Sequence, residues 1–217
     1  MVDMEHNLYT LDAAEAAKSL GCSIADLIIK LSSFDYDSIP VLTEREEGDT
    51  KKWVAIRSRY PFTVIVIMDR NSNDIAGYWS FVPLDEKTFK RIKDGTLIDG
   101  DIAIENIPEL KPGSRCYMYI TMVFLKKEYR HTDEVSIIYD SFIKILSEFV
   151  EKGVFFHEVA ANAYTKEGEA FDLHLGMSFI TLSAERGKIY SAKIQSILAS
   201  KYLKADKKLI EAYSEYR

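Results

Sequence analysis

Between Cys116 and Lys152 the chain reads CYMYITMVFLKKEYRHTDEVSIIYDSFIKILSEFVEK. A nearly continuous apolar run, Tyr117 to Leu125, has the length and composition of a buried strand. A short polar turn containing Tyr129 and Arg130 follows. The next stretch places Val135, Ile138, Tyr139, Phe142, Ile145, Leu146, Phe149 and Val150 on one helical face, and Gly153 supplies a stop. A second apolar run, Val154 to Ala160, then reads as a strand. Strand, helix and strand in this order require a parallel crossover, which commits the chain to a mixed α/β sheet. A strand that feeds a helix start also builds an anion site, because free N–H groups and the positive end of the helix dipole converge there.

The flanking segments fit the same architecture. Leu11 to Leu31 reads as helical with a break at Gly21-Cys22-Ser23, and Asp12 and Ser23 are N-cap candidates. Thr50 to Arg59 is a helix that Pro61 ends. Phe62 to Met68 and Ile75 to Pro83 form a hairpin about the polar turn 69–74, with Gly77 marking a bulge or a close backbone approach. Leu84 to Lys93 is a short helix. Beyond the crossover, Thr165 to Leu175 is a helix stopped by Gly176, and Met177 to Leu182 is a strand. From Ile189 the chain starts as a strand and ends as a Lys- and Tyr-rich amphipathic helix. The reading is one α/β domain (α+β, mixed sheet): an N-terminal helical segment 1–49, a core 50–183 and a C-terminal strand and helix 184–217.

Composition narrows the function classes. Net charge is -6, which disfavours wholesale binding to nucleic acid or to an anionic membrane. No apolar run exceeds strand length, so no membrane span is expected. The acidic, polar N-terminus is not a secretory signal, and two distant cysteines, Cys22 and Cys116, suit a reduced cytoplasmic protein. The four histidines, at 6, 131, 157 and 174, have no metal-ligand spacing, so no metal is expected. The segment YTLDAAEAAKSLGCSIADLIIKL has a helix–turn–helix outline, but Ile24 to Leu31 carries one Lys and no Arg. A helix that reads DNA needs basic and polar side chains, so this one is read as a packing element or lid and nucleic acid is not expected as a partner.

The order of elements and four local sequences between about Trp53 and Leu182 resemble the GCN5-related N-acetyltransferase (GNAT) superfamily. The hairpin VIVIMDRNSNDIAGYWSF, the turn VFLKKEYRHTDEV, the strand VFFHEVAA and the helix TKEGEAFDLHLGM carry the resemblance. It implies a GNAT-like acyl-CoA N-acyltransferase fold in which acetyl-CoA, or another acyl-CoA, is the co-substrate. It lies between two parallel strands that splay apart. By resemblance, Val123 and Leu125 supply backbone contacts, and Tyr129, Arg130, His131, Thr132, Asp133, Glu134 and Val135 form the pyrophosphate cradle. The family's turn glycines fall on Asp133 and Val135. Carboxylates at Asp133 and Glu134 would repel a phosphate by about 4 kcal/mol at ~4 Å if they faced it, taking an effective dielectric near 20.

Candidate catalytic residues are Tyr119, Glu158 and Asp172. Asp172 falls where the family often has a general-acid Tyr, and a carboxyl there protonates a leaving thiolate only if its pKa is strongly raised. His157 and Glu158 adjoin on one strand, so alternation is expected to turn only one of them into the cleft. The implied reaction moves an acyl group to an amine on a small molecule or a protein, in a monomer or homodimer. Two other readings stand beside it: a GNAT-fold module without catalysis, suggested by the missing glycines, and an interaction protein using the C-terminal helix.

Overall fold

Strand pairing organises the molecule. The computed structural model describes residues 7–39, 48–130, 132–184 and 186–215. Seven strands, β1 (Leu8–Asp12), β2 (Val64–Asp69), β3 (Ile75–Leu84), β4 (Arg115–Leu125), β5 (Phe155–Ala163), β6 (Ser178–Leu182) and β7 (Lys188–Lys193), form one sheet in the order β1-β2-β3-β4-β5-β7-β6. Every neighbouring pair is antiparallel except β4 and β5, which run parallel. Among the described residues eight α-helices cover the two faces: α1 (Ala13–Leu20), α2 (Ile24–Ser38), α3 (Thr50–Arg59), α4 (Glu86–Lys93), α5 (Ser136–Glu151), α6 (Lys166–His174), α7 (Ile194–Leu198) and α8 (Lys207–Glu215). This is the mixed α/β sheet, with a parallel strand–helix–strand crossover, expected from the sequence.

Local chemistry sets the element ends. Asp12 and Ser23 each close a capping box, with Glu15 and Asp26 respectively, and Gly21 ends α1 in the left-handed region. Residues 8–12 form an edge strand before the first helix, because Leu8 inserts into the core while the backbone pairs with β2. α2 does not present a reading face. Leu27, Ile28 and Leu31 are buried against β2 and β3, as expected of a packing element.

The sheet divides two apolar layers. One gathers Trp79, Phe81, Phe142, Phe149 and Phe156 under α5 and α8. The other gathers Leu27, Trp53, Ile56, Tyr78, Phe89 and Tyr119 under α1 to α4. Alternation along β4 assigns Met118 and Ile120 to the first layer and Tyr119 to the second. Thr121 then enters as an extra residue between the pairs Ser80↔Met122 and Phe81↔Ile120. This bulge shifts the alternation, so Met122 joins the second layer and Val123 and Leu125 return to the first.

Gly77 meets both expectations for a strand glycine. The β2–β3 register slips beside it, and a Cβ placed there would lie 2.4 Å from the Phe124 carbonyl oxygen. The obstacle is backbone, so no rotamer change relieves it. Gly77→Ala is expected to destabilise the fold by about 2–3 kcal/mol, as overpacked cores do, read as a lower urea midpoint at unchanged slope.

Candidate acyl-transfer site

The parallel pair β4–β5 holds register from Arg115↔Phe155 to Ile120↔Ala161 and then parts. From Thr121 to Leu125 the β5-facing edge of β4 has no strand partner among the described residues. Lys126 N–H donates to the Ala76 carbonyl at 2.8 Å, which fixes which residues hydrogen-bond across to β3. Alternation back from that bond gives Phe124 and Met122 to β3 and turns the N–H and C=O groups of Val123 and Leu125 into the gap. The Leu125 carbonyl is indeed met from that side, by Arg130 Nε at 2.6 Å.

The gap opens into two adjoining chambers that share Ile39, Met122, Val123, Thr165, Gly168 and Phe171. The outer chamber, about 430 Å³, is walled by the open edge of β4, Arg130, Val135, Ile138 and Tyr139 at the start of α5, and α6 as far as His174. The inner chamber, about 70 Å³, reaches the other face of the sheet at Asp99 and Tyr119 and is bounded by Asn162 and Asp172.

The turn leading to α5 is built without glycine. Thr132 Oγ1 donates to the Tyr129 carbonyl and accepts the Glu134 N–H, shaping one turn of 3-10 helix, Asp133–Val135. Thr132 caps this turn, which runs directly into α5, and Val135 at the junction lines the outer chamber. Glu134 turns away, with Oε1 accepting the Asn7 N–H at 3.3 Å beside β1. Asp133 is exposed. The repulsion expected from Glu134 is thereby removed from the gap by geometry.

Tyr129 also points elsewhere. Its hydroxyl donates to Asp69 Oδ2 at 2.6 Å, and Asp69 in turn accepts the N–H groups of Asn71 and Ser72 in the hairpin turn. That bond holds Asp69 below the usual carboxylate range and pushes the Tyr129 phenol up to about 12. Tyr129 is therefore a strut between the turn and the hairpin. His131 lies outside the described residues.

The three catalytic candidates are not brought together. Tyr119 and Asp172 line the inner chamber, whereas Glu158 lines neither chamber. Glu158 Oε1 accepts from Lys93 Nζ at 2.6 Å and from Ser191 Oγ at 2.8 Å, under α4. The expected choice between His157 and Glu158 does not arise. An extra residue in β5, between the pairs Cys116↔Phe156 and Met118↔Val159, breaks the alternation there. His157 stacks on Tyr117, 5.8 Å between centroids, and neither side chain reaches the gap.

Asp172 is 2% exposed, and its Oδ2 has no hydrogen-bond partner among the described residues. Burial, with the nearby charge of Glu169, pushes its carboxyl well above the ordinary carboxylate range. Glu169 stays ionised because Lys188 Nζ donates to it at 2.7 Å, and Tyr190 adds a second bond at 3.1 Å.

Sequence reading missed three residues here. Asp99 sits in a segment without periodicity, yet its Oδ1 accepts the Tyr119 hydroxyl at 2.5 Å. Asn162 lies beyond the strand read from sequence, which ends at Ala160, and is in β5. Arg57 belongs to α3, where a charged residue on the buried stripe is not expected. It is 4% exposed, donates to the Phe81 carbonyl, and reaches Thr63 Oγ1 and Thr121 Oγ1 at 2.9 Å each. The bulged Thr121 is held on its other side by Ser80 Oγ at 2.7 Å. The signal for Arg57 was its place on the apolar stripe with Trp53 and Ile56. Among the described residues there is no cluster fit to hold a metal and no helix long and apolar enough to cross a membrane.

The fold is that of the GNAT-like N-acetyltransferases. The chain is similar to a mosquito arylalkylamine N-acetyltransferase-like 5b protein, with TM-score 0.51, 10% identity, and 86% of this chain and 99% of that one covered. It is also similar to a chain of the NatC complex bound to Gag peptide and CoA (TM-score 0.47, 13% identity, 85% and 96% covered). A third likeness is to Ard1 from Thermoplasma volcanium (TM-score 0.45, 11% identity, 85% and 95% covered). At these identities the likeness is one of fold. No protein-family model matches the chain, and no curated protein sequence does.

Proposed function

We propose that the protein is an N-acyltransferase that moves an acyl group, acetyl in the simplest case, from an acyl-CoA thioester to an amine. The observation that carries this reading is the parted β4–β5 pair. It turns backbone groups of Val123 and Leu125 into a chamber that is also lined by Arg130 and by Val135 at the start of α5. A pantetheine arm carries amide groups that pair with such an edge, and a pyrophosphate suits the Arg130 side chain and the positive end of the α5 dipole. The co-substrate supplies an electrophilic thioester carbonyl. Val123 and Leu125 hold and orient the arm, Arg130 to Val135 bound the phosphates, and Asp172 supplies a proton to the sulfur that leaves.

A binding module without catalysis is less well supported, because the turn keeps its carboxylates out of the gap and the buried Asp172 carboxyl, its pKa raised, lines it. Thermal unfolding with acetyl-CoA, free CoA and ATP tests the reading. At ~100 times the dissociation constant a ligand stabilises by about 2.7 kcal/mol, roughly 5–10 °C for a chain of this size. A shift given by acetyl-CoA and CoA but not by ATP is expected. Equal shifts from all three, or none, would sink it.

A further inference from the structure

Resting on the acyl-CoA reading, we infer that Arg130 is a latch on the lane that the thioester arm takes. Its side chain occupies the Leu125 carbonyl, and a ligand pairs with that edge only by offering the guanidinium a phosphate anhydride instead. Donors are thereby selected by their nucleotide end, and thioesters of bare pantetheine are poor donors.

The first observation is position. The ladder to β3 turns the N–H and C=O of Leu125 into the gap, on the edge of β4 that has no strand partner among the described residues. Arg130 Nε donates to that carbonyl at 2.6 Å. An arm that pairs with the edge as a strand does lies about 4.8 Å away from it. A guanidinium bonded to the carbonyl stands in that space. The oxygen keeps a second lone pair, but the lane beside it is filled.

The second observation is the surroundings of the charge. Tyr129, the preceding residue, is pinned to Asp69 at 2.6 Å, which fixes the backbone from which Arg130 projects. The Arg130 guanidinium lies over the Phe124 ring at 5.9 Å, and no carboxylate pairs with it among the described residues. It lines the outer chamber together with Val135 at the start of α5. A phosphate anhydride in that chamber offers it two parallel charge-assisted bonds and a negative charge, which a lone carbonyl does not match. Exchange therefore favours a ligand that carries phosphates. One without them has to break the Arg130–Leu125 bond and returns nothing to the guanidinium.

The test titrates CoA and pantetheine, the same arm without its nucleotide, into the full chain by calorimetry. Wild type is compared with Arg130→Ala and Arg130→Met; methionine keeps a stem beside Phe124 and removes every donor. The expected effects have opposite signs. Pantetheine binds the variants about 2–10-fold more tightly, the equivalent of one hydrogen bond that no longer has to be broken, and CoA binds them about 10–100-fold more weakly. In wild type, inorganic pyrophosphate is expected to raise pantetheine affinity by a similar factor of about 2–10, because it draws the guanidinium off the carbonyl. That coupling should vanish in Arg130→Met.

Pantetheine affinity unchanged or weaker in both variants overturns the latch, as does pyrophosphate without effect on pantetheine in wild type. Pantetheine binding too weak to register in all three proteins counts as no gain. CoA affinity unchanged in the variants overturns the exchange. In each of these cases CoA binding by wild type keeps the acyl-CoA reading. Wild type that binds neither CoA nor pantetheine removes that reading, and the latch with it.

Discussion

Asp172→Asn is expected to abolish most acyl transfer while making the protein more stable above pH 4. The two effects share one cause. A carboxyl buried among Phe171, Asn162 and Tyr164, with the charge of Glu169 nearby, keeps its proton in the folded state well above the ordinary carboxylate range. Below about pH 4 both folded and unfolded chains hold that proton, and the group costs nothing. As pH rises past that point the unfolded chain releases it and the folded chain does not. Stability then falls by about 1.4 kcal/mol per pH unit until the folded value is reached, and stays level above it. The asparagine variant has no such term. Its Tm relative to wild type should therefore be equal near pH 4, climb with pH, and level off. The difference between the two proteins isolates Asp172, because Glu169, Lys188 and Tyr190 titrate in both. In turnover, loss of a general acid lowers kcat by about 100-fold or more, with CoA affinity retained. The wild-type rate should also fall as pH rises through the raised value, and that limb should vanish in the variant. Wild-type turnover in Asp172→Asn would remove the acid role, and parallel pH–Tm curves would show that the group is ionised in the fold.

The sequence made the crossover legible because its signals are local. Strand composition, the period of α5 and the stop at Gly153 all lie within one stretch, and the capping pairs Asp12–Glu15 and Ser23–Asp26 lie within four residues. Resemblance then placed Asp172 in a helix that lines the gap, although its protonation was not readable. That depends on Glu169 and on packing by β7, which enters between β5 and β6 from the end of the chain. The alternation expected at His157 and Glu158 fails for a related reason. A one-residue bulge in β5 has no sequence signature of its own, and it moves both side chains to the α4 side. Asp99 was out of reach altogether, because only the tertiary fold carries that irregular segment to Tyr119. Charges at 133 and 134 looked hostile to a phosphate because sequence gives no side-chain direction. The bond from Asn7 to Glu134 supplies it.

Arg57→Leu is expected to cost about 3 kcal/mol of stability and to damage the site from a distance. The guanidinium is nearly fully buried, lies over the Trp53 ring at 4.9 Å, and donates to Phe81, Thr63 and Thr121. Leucine keeps part of the stem volume and removes every donor. The Phe81 carbonyl then loses a charged partner inside the sheet, and buried acceptors stripped of a partner cost about 1–3 kcal/mol each. For a chain of 217 residues such a loss lowers Tm by roughly 6–12 °C. The functional consequence follows from Thr121. It is the extra residue of β4, and the phase it introduces is what aims Val123 and Leu125 at the gap. With Arg57 gone, Ser80 still holds that hydroxyl, and the bulge is freer to relax toward regular pairing. A relaxed bulge exchanges the faces of Val123 and Met122, which predicts weaker CoA binding in a protein that still unfolds cooperatively. Arg57→Lys separates the two roles. A single ammonium restores charge and one or two bonds but lacks the planar fork, so it should recover part of the stability and little of the CoA affinity. Full CoA affinity in Arg57→Leu would show that the bulge holds its phase without the guanidinium, through the β3–β4 ladder alone.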